Sequence, residues 1–218
     1  MTFAHRAEAG RRLAALVARR CLEDVVVLGL PRGGMPVAAE VAAVLRAPLD
    51  VLPVRRLTVP SRPELAFGAI GEDGLRVINR AAVRSLRLNP EEIAAVEVRE
   101  RAELVRLSHR YRDGGAPLSL EGRTAVIVDD GVSTGATAHA ACLIARQRGA
   151  ESVVLAVPVA PRGWTRRLRE VADDLICLDE PRRFYAVGQF YDDFPATTDE
   201  EVRGILRQAG EALDRVAP

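Results

Sequence analysis

The apolar positions of this chain change period several times. Between residues 6 and 20 they recur at helical spacing, with Ala7, Leu13, Leu16 and Val17 near one face. A continuous apolar run follows at 24–30, and the segment PRGGMP then breaks the pattern. An alanine-rich helical stretch at 37–46 and a second apolar run at 49–54 complete a strand-helix-strand unit. The second half repeats the alternation: a strand ends at Val128, a helix spans 138–148, strands lie at 152–159 and 175–178, and a helix near 164–172 separates them. This order predicts an α/β fold, a doubly wound and mostly parallel sheet flanked by helices, whose ligands sit at the carboxyl ends of its strands.

The middle of the chain reads differently. From 55 to 79, Pro60, Pro63, Gly68, Gly71 and Gly74 interrupt every period, which predicts a long flexible loop with a hairpin through AFGAIGEDGLRVI. Loops of that length inside compact domains often serve as lids. Asn89-Pro90-Glu91-Glu92 has the form of an N-cap, a first-turn proline and a capping acid, starting a helix that runs to about residue 110. A polar connection at 111–122 follows, and Thr198 with Glu201 forms a second capping box ahead of a C-terminal helix. The 218 residues read as a single elaborated domain, 1–218.

Composition narrows the chemistry. Net charge is +1, so no global field recruits nucleic acid. All 31 basic residues are Arg. A chain without Lys has neither the phosphate-gripping Lys of a Walker A loop nor a Schiff-base Lys for pyridoxal chemistry, so Arg and backbone amides must hold any anion. Cys21, Cys142 and Cys177 lack the close pairing of metal or redox motifs. His5, His109 and His139 show no partner pattern. No apolar stretch reaches the roughly 18 residues of a membrane span and the N-terminal residues lack a signal core, so cytoplasmic residence is expected.

The most informative segment is VIVDDGVSTGAT, residues 126–137. An apolar strand ends in two carboxylates, Asp129 and Asp130, and a small hydroxyl-rich turn, Ser133-Thr134-Gly135-Ala136-Thr137, opens a helix. Backbone N–H groups converging at such a turn favour a phosphate. Two carboxylates beside an anion site call for hydroxyl donors or a divalent ion, and a phosphorylated sugar with Mg²⁺ supplies both. A second turn, Arg32-Gly33-Gly34, closes the first strand; its glycines admit close approach of a ligand and Arg32 brings a forked donor for phosphate oxygens. Arg55-Arg56 closes the second strand.

The acidic segment closely resembles the signature of type I phosphoribosyltransferases, and RRLTVPSRPELAFGAIG is similar to an uncharacterised bacterial sub-group of that family over nearly the whole chain. The resemblance implies binding of phosphoribosyl pyrophosphate (PRPP) with Mg²⁺ and transfer of the phosphoribosyl group to a nitrogenous acceptor. It implies that Asp129 and Asp130 meet the ribose hydroxyls with Mg²⁺ close by on PRPP and water oxygens. Residues 133–137 would wrap the 5′-phosphate, and Arg32, Gly33, Gly34, Arg55 and Arg56 would meet the pyrophosphate. Asp129, Asp130 and Arg32 are the expected catalytic groups, and a homodimer is implied.

The aromatic-rich stretch EPRRFYAVGQFYDDF, within 180–197, resembles the C-terminal hood of 6-oxopurine enzymes, with Phe184, Tyr185 and Asp192 as base contacts. The position where those enzymes carry a proton-handling aspartate is Ser133, which cannot do that work at neutral pH. The acceptor therefore stays open, as does the alternative of a PRPP- or nucleotide-sensing regulator, and a phosphorylase is a third reading.

Overall fold

The structure, a computed structural model, describes residues 2–215. Five strands form a fully parallel sheet in the order β2-β1-β6-β7-β8, where β1 is Val25–Gly29, β2 Leu49–Val51, β6 Thr124–Val128, β7 Ser152–Val159 and β8 Asp174–Asp179. Both faces are covered, which explains why the strands read as unbroken apolar runs. Alternate side chains serve opposite layers. Val27, Val126 and Val128 pack with Leu13 and Val17 of α1 (Arg6–Ala18) and with Val37 and Val41 of α2 (Gly34–Leu45). Val26, Leu28, Ala125 and Ile127 pack on Ala141, Cys142 and Ile144 of α5 (Ala136–Gln147) and on Trp164 and Leu168. From β1 the chain moves to one side of the sheet, and from β6 it moves to the other. The carboxyl ends of β1 and β6 thus flank the switch point, where a doubly wound sheet leaves a crevice.

Residues 55–79 are regular strands where a long loop was expected, and they contain the hairpin expected through AFGAIGEDGLRVI. They form a three-stranded antiparallel sheet, β3 (Arg55–Val59), β4 (Arg62–Ile70) and β5 (Arg76–Ile78), with the hairpin turn at a short 3-10 segment, Glu72–Gly74. Register shifts between Leu57 and Val59, together with Gly68, break the period-two pattern that would have announced it. This small sheet has its own core, Leu57, Val59, Phe67 and Ile70 against Val96 and Leu104 of α4 (Pro90–Arg112). A further helix, α3 (Arg80–Leu86), lies beside it, in a place the sequence pattern did not mark.

The start of α4 has the expected capping box: Asn89 Oδ1 accepts from the Glu92 N–H at 2.8 Å, and Glu92 Oε2 accepts from the Asn89 N–H at 2.9 Å. Thr198 and Glu201 do the same for α7 (Asp199–Asp214). The helix expected at 164–172 shortens to α6 (Thr165–Leu168). Among the described residues no helix is long and apolar enough to cross a membrane.

The Arg112 side chain, at the end of α4, is almost fully buried between Asp50 of β2 and Glu72 of the small sheet. Its Nε donates to Asp50 Oδ1 at 2.7 Å and its Nη2 donates to the Val51 carbonyl at 2.6 Å. Asp50 also accepts from the N–H groups of Val51 and Leu118. Three elements that share no hydrogen-bonded ladder are joined by one guanidinium.

Candidate active site

β6 delivers Asp129 and Asp130 to the switch point. Asp129 Oδ1 accepts from the Asp130 N–H at 2.9 Å. The loop after β1 packs directly on this pair: a Cβ added to Gly33 would stand 2.1 Å from Asp130 Oδ2, and one added to Gly34 would stand 2.6 Å from the Val128 carbonyl. Arg-Gly-Gly is therefore more than a permissive turn, because only glycine lets the two loops touch. The peptide between Pro31 and Arg32 is cis. Arg32 itself is half exposed, with Nη1 3.9 Å from Asp199 Oδ1.

The turn after the acidic pair has the geometry the sequence suggested. Gly135 adopts φ 76°, the left-handed region, and α5 begins at Ala136. Ser133, Thr134 and Thr137 are exposed, and Thr134 Oγ1 accepts from the Ala136 N–H at 3.4 Å. The first-turn amides of a 12-residue helix thus open beside two carboxylates.

A residue that sequence reasoning missed completes the pair. Arg6, the first residue of α1, donates from Nε to Asp130 Oδ2 at 2.9 Å and from Nη1 to the Pro195 carbonyl at 2.6 Å. Its guanidinium lies over the Phe194 ring at 3.7 Å. Tyr191 stacks on Phe194 at 4.8 Å and donates its hydroxyl to the Asp130 carbonyl at 2.6 Å. The cover over the site comes from both ends of the chain, since Phe3 bridges Tyr191 and exchanges backbone hydrogen bonds with Phe190 and Asp192. Arg6, Arg32, Gly33, Asp130, Val187, Phe194, Ala196 and Thr197 line a cleft of about 400 Å³.

Several expected residues lie elsewhere. Arg55 is tied to Glu100 of α4 at 2.7 Å and Arg56 is exposed, so neither lines the cleft. Phe184 packs on Phe190 at 5.3 Å, Tyr185 is 85% exposed, and Asp192 is exposed. Val187 and Phe194 take the places beside the acidic pair instead; a Cβ on Gly131 would meet Val187 at 2.7 Å. The aromatic run was legible as a cover, but which rings turn inward depends on the bridge to Phe3, which the local pattern does not contain. A larger groove of about 510 Å³ lies between β5 and α4, lined by Arg76, Ile78, Pro90 and Glu97. The acidic pair does not reach this groove; Asp130 lines the smaller cleft.

Electrostatics mark the acidic pair. Burial, and then the neighbouring charge of Asp130, hold the Asp129 carboxyl well above the ordinary carboxylate range. Burial also raises Asp130, while the Arg6 guanidinium pulls it back. Burial and then Asp130 hold the Tyr191 hydroxyl protonated far above its usual range. Two adjacent, partly buried carboxylates are served here by one cation, Arg6, a pattern common at functional sites.

Residues 4–195 match the model of the phosphoribosyl transferase domain. A protein of Mycobacterium tuberculosis, provisionally named a phosphoribosyl transferase, is 54% identical over 207 residues, 95% of this chain and 47% of the relative. The chain thus spans about half the length of the curated relatives it matches. The crystal structure of the TT1426 protein from Thermus thermophilus is 42% identical, with a TM-score of 0.87 over 95% of this chain and 99% of that one. The AQ2163 protein of Aquifex aeolicus shares the fold at 13% identity and a TM-score of 0.50, over 82% of this chain and 74% of that one. With its acidic pair at the switch point of a parallel sheet and a family match over most of its length, the chain belongs to the phosphoribosyl transferase domain family.

Proposed function

We propose that the protein binds Mg²⁺-PRPP in the cleft beside Asp130 and transfers its phosphoribosyl group to a nitrogen nucleophile, releasing pyrophosphate. The observation that supports this reading is the packing of the Gly33-Gly34 loop onto Asp129-Asp130; in this proposal the loop meets the leaving group and the pair meets the ribose hydroxyls. The donor and its diphosphate would span these two loops. The amides of 133–137 receive the 5′-phosphate at the start of α5. Asp129 and Asp130 accept from the ribose hydroxyls and stabilise positive charge as the C1–diphosphate bond breaks. Arg32 supplies a forked donor to the departing diphosphate.

Among the described residues no three His, Cys, Asp or Glu side chains are grouped to hold a metal. Two adjacent carboxylates set below the surface fit a divalent ion carried mainly on substrate and water oxygens, and Mg²⁺ bound there would neutralise the leaving group. Homodimeric assembly and cytoplasmic residence are carried in the same proposal, from the family resemblance.

Isothermal titration with Mg²⁺-PRPP, followed by pyrophosphate release across purines, pyrimidines and simple amines, tests the reading. Binding that Asp130→Asn weakens by roughly tenfold or more, with turnover on one acceptor, is the expected result. Tight binding with no turnover on any acceptor would assign the protein to PRPP sensing, and absence of binding would remove the donor from the proposal.

A further inference from the structure

We infer that Arg6 is a donor-binding residue, one guanidinium that fixes Asp130, anchors the cover of the site and meets the diphosphate of the donor; this rests on the PRPP reading above. The three nitrogens divide the work. Nε holds Asp130 Oδ2 at 2.9 Å, and Nη1 holds the Pro195 carbonyl at 2.6 Å. Nη2 makes no hydrogen bond among the described residues, and it lies 3.4 Å from where a Cβ on Gly33 would stand, facing the Arg32-Gly33-Gly34 loop. A planar fork with one arm open toward an anion loop is the geometry by which Arg takes phosphate oxygens.

The position of Arg6 is fixed from behind. It is the first residue of α1, and α1 approaches α2 so closely that a Cβ on Gly10 would stand 2.8 Å from the Val37 carbonyl. Its side chain is only 10% exposed, and the Phe194 ring covers one face of the guanidinium. The sequence has no Lys, and the other arginines considered for the leaving group are less committed to the cleft: Arg32 is half exposed and Arg55 is bound to Glu100. Arg6 is the most enclosed of these cations. Because it also binds Pro195, a donor that engages Nη2 is tied through the same guanidinium to the segment that covers the site.

The test compares wild type, Arg6→Gln and Arg6→Lys in Mg²⁺-PRPP titrations, with melting curves as a fold check and hydrogen exchange of 187–197 with and without PRPP. Expected are a Kd for PRPP raised roughly tenfold to a hundredfold in Arg6→Gln, a partial return in Arg6→Lys, and PRPP-dependent protection of 187–197 in wild type alone. In steady-state assays the rise falls mainly on KM for PRPP. If Arg6→Gln does not fold, Arg6→Lys carries the test, because a compact ammonium lacks the planar fork that reaches Asp130, Pro195 and the donor from separate nitrogens. Wild-type affinity in the folded variants overturns the role of Arg6 while leaving PRPP binding intact. A wild-type protein that binds no PRPP overturns both.

Discussion

At the residue scale, the acidic pair trades stability for binding capacity. A carboxyl whose folded pKa lies above its unfolded value, about 3.9 for Asp, binds its proton more tightly in the native state. Native stability then falls as pH rises from that unfolded value through the folded one. Asp129, desolvated beside Asp130, is in that position. Asp129→Asn keeps an oxygen for the Asp130 N–H and discards the desolvated charge. It is expected to stabilise the protein at pH 8 by about 1 kcal/mol or more, with a smaller gain at pH 5, while weakening PRPP binding. Melting curves at the two pH values check it, and an Asn variant less stable at both would show that the charge is compensated. Asp129 and Asp130 were legible in the sequence because they end an apolar strand next to a phosphate-type turn. Arg6 was not, since an arginine in the first turn of an amphipathic helix looks like any solvated one until the fold brings Asp130 from 124 residues away.

At the element scale, the parallel strands and their helices were readable because burial on both faces leaves an unmistakable apolar signature. Of the small sheet, only the hairpin through 66–78 was. Its strands alternate imperfectly, carry Gly68 and shifted register, and gain their partner face from α4, a helix that follows them in the chain. With most of its core shared with α4, and only Leu75 and Val77 among its described apolar side chains packed against the main core, 55–78 is expected to open apart from the main sheet. Phe67, nearly fully buried in that core, is the residue to remove. Phe67→Ala is expected to cost roughly 3–5 kcal/mol. Hydrogen exchange should rise through 55–78 while β1, β6 and β7 keep their protection. Uniform loss of protection would mean that the small sheet and the main sheet unfold together.

At the scale of the whole molecule, the Asp50-Arg112-Glu72 cluster decides whether these parts move together. It binds the sheet edge, the small sheet and α4 through one side chain, almost entirely out of water. Arg112→Ala leaves two buried carboxylates without a cation, a change costing roughly 3–5 kcal/mol. For a chain of this size that corresponds to a fall in melting temperature on the order of 10 °C, which calorimetry would record. No sequence pattern announced the cluster, because its three members lie in an edge strand, a turn and a helix end. The overall architecture was legible where the strand-helix alternation was regular, and the tertiary ties across it were not.

The cover built from Phe3 and Tyr191 also bears on the order of assembly. Its two halves, Phe3 and Tyr191, lie far apart in the sequence, so closing it fixes a long loop. During synthesis the parallel sheet can gather around β1 and β6 well before residue 191 exists, leaving Asp129 and Asp130 open to water. A nascent or truncated chain that lacks 186–195 would present a phosphate turn and two uncovered carboxylates, with Arg6 held to neither Pro195 nor Phe194. The site is thus complete only after residues 186–195 have been made and have met Phe3.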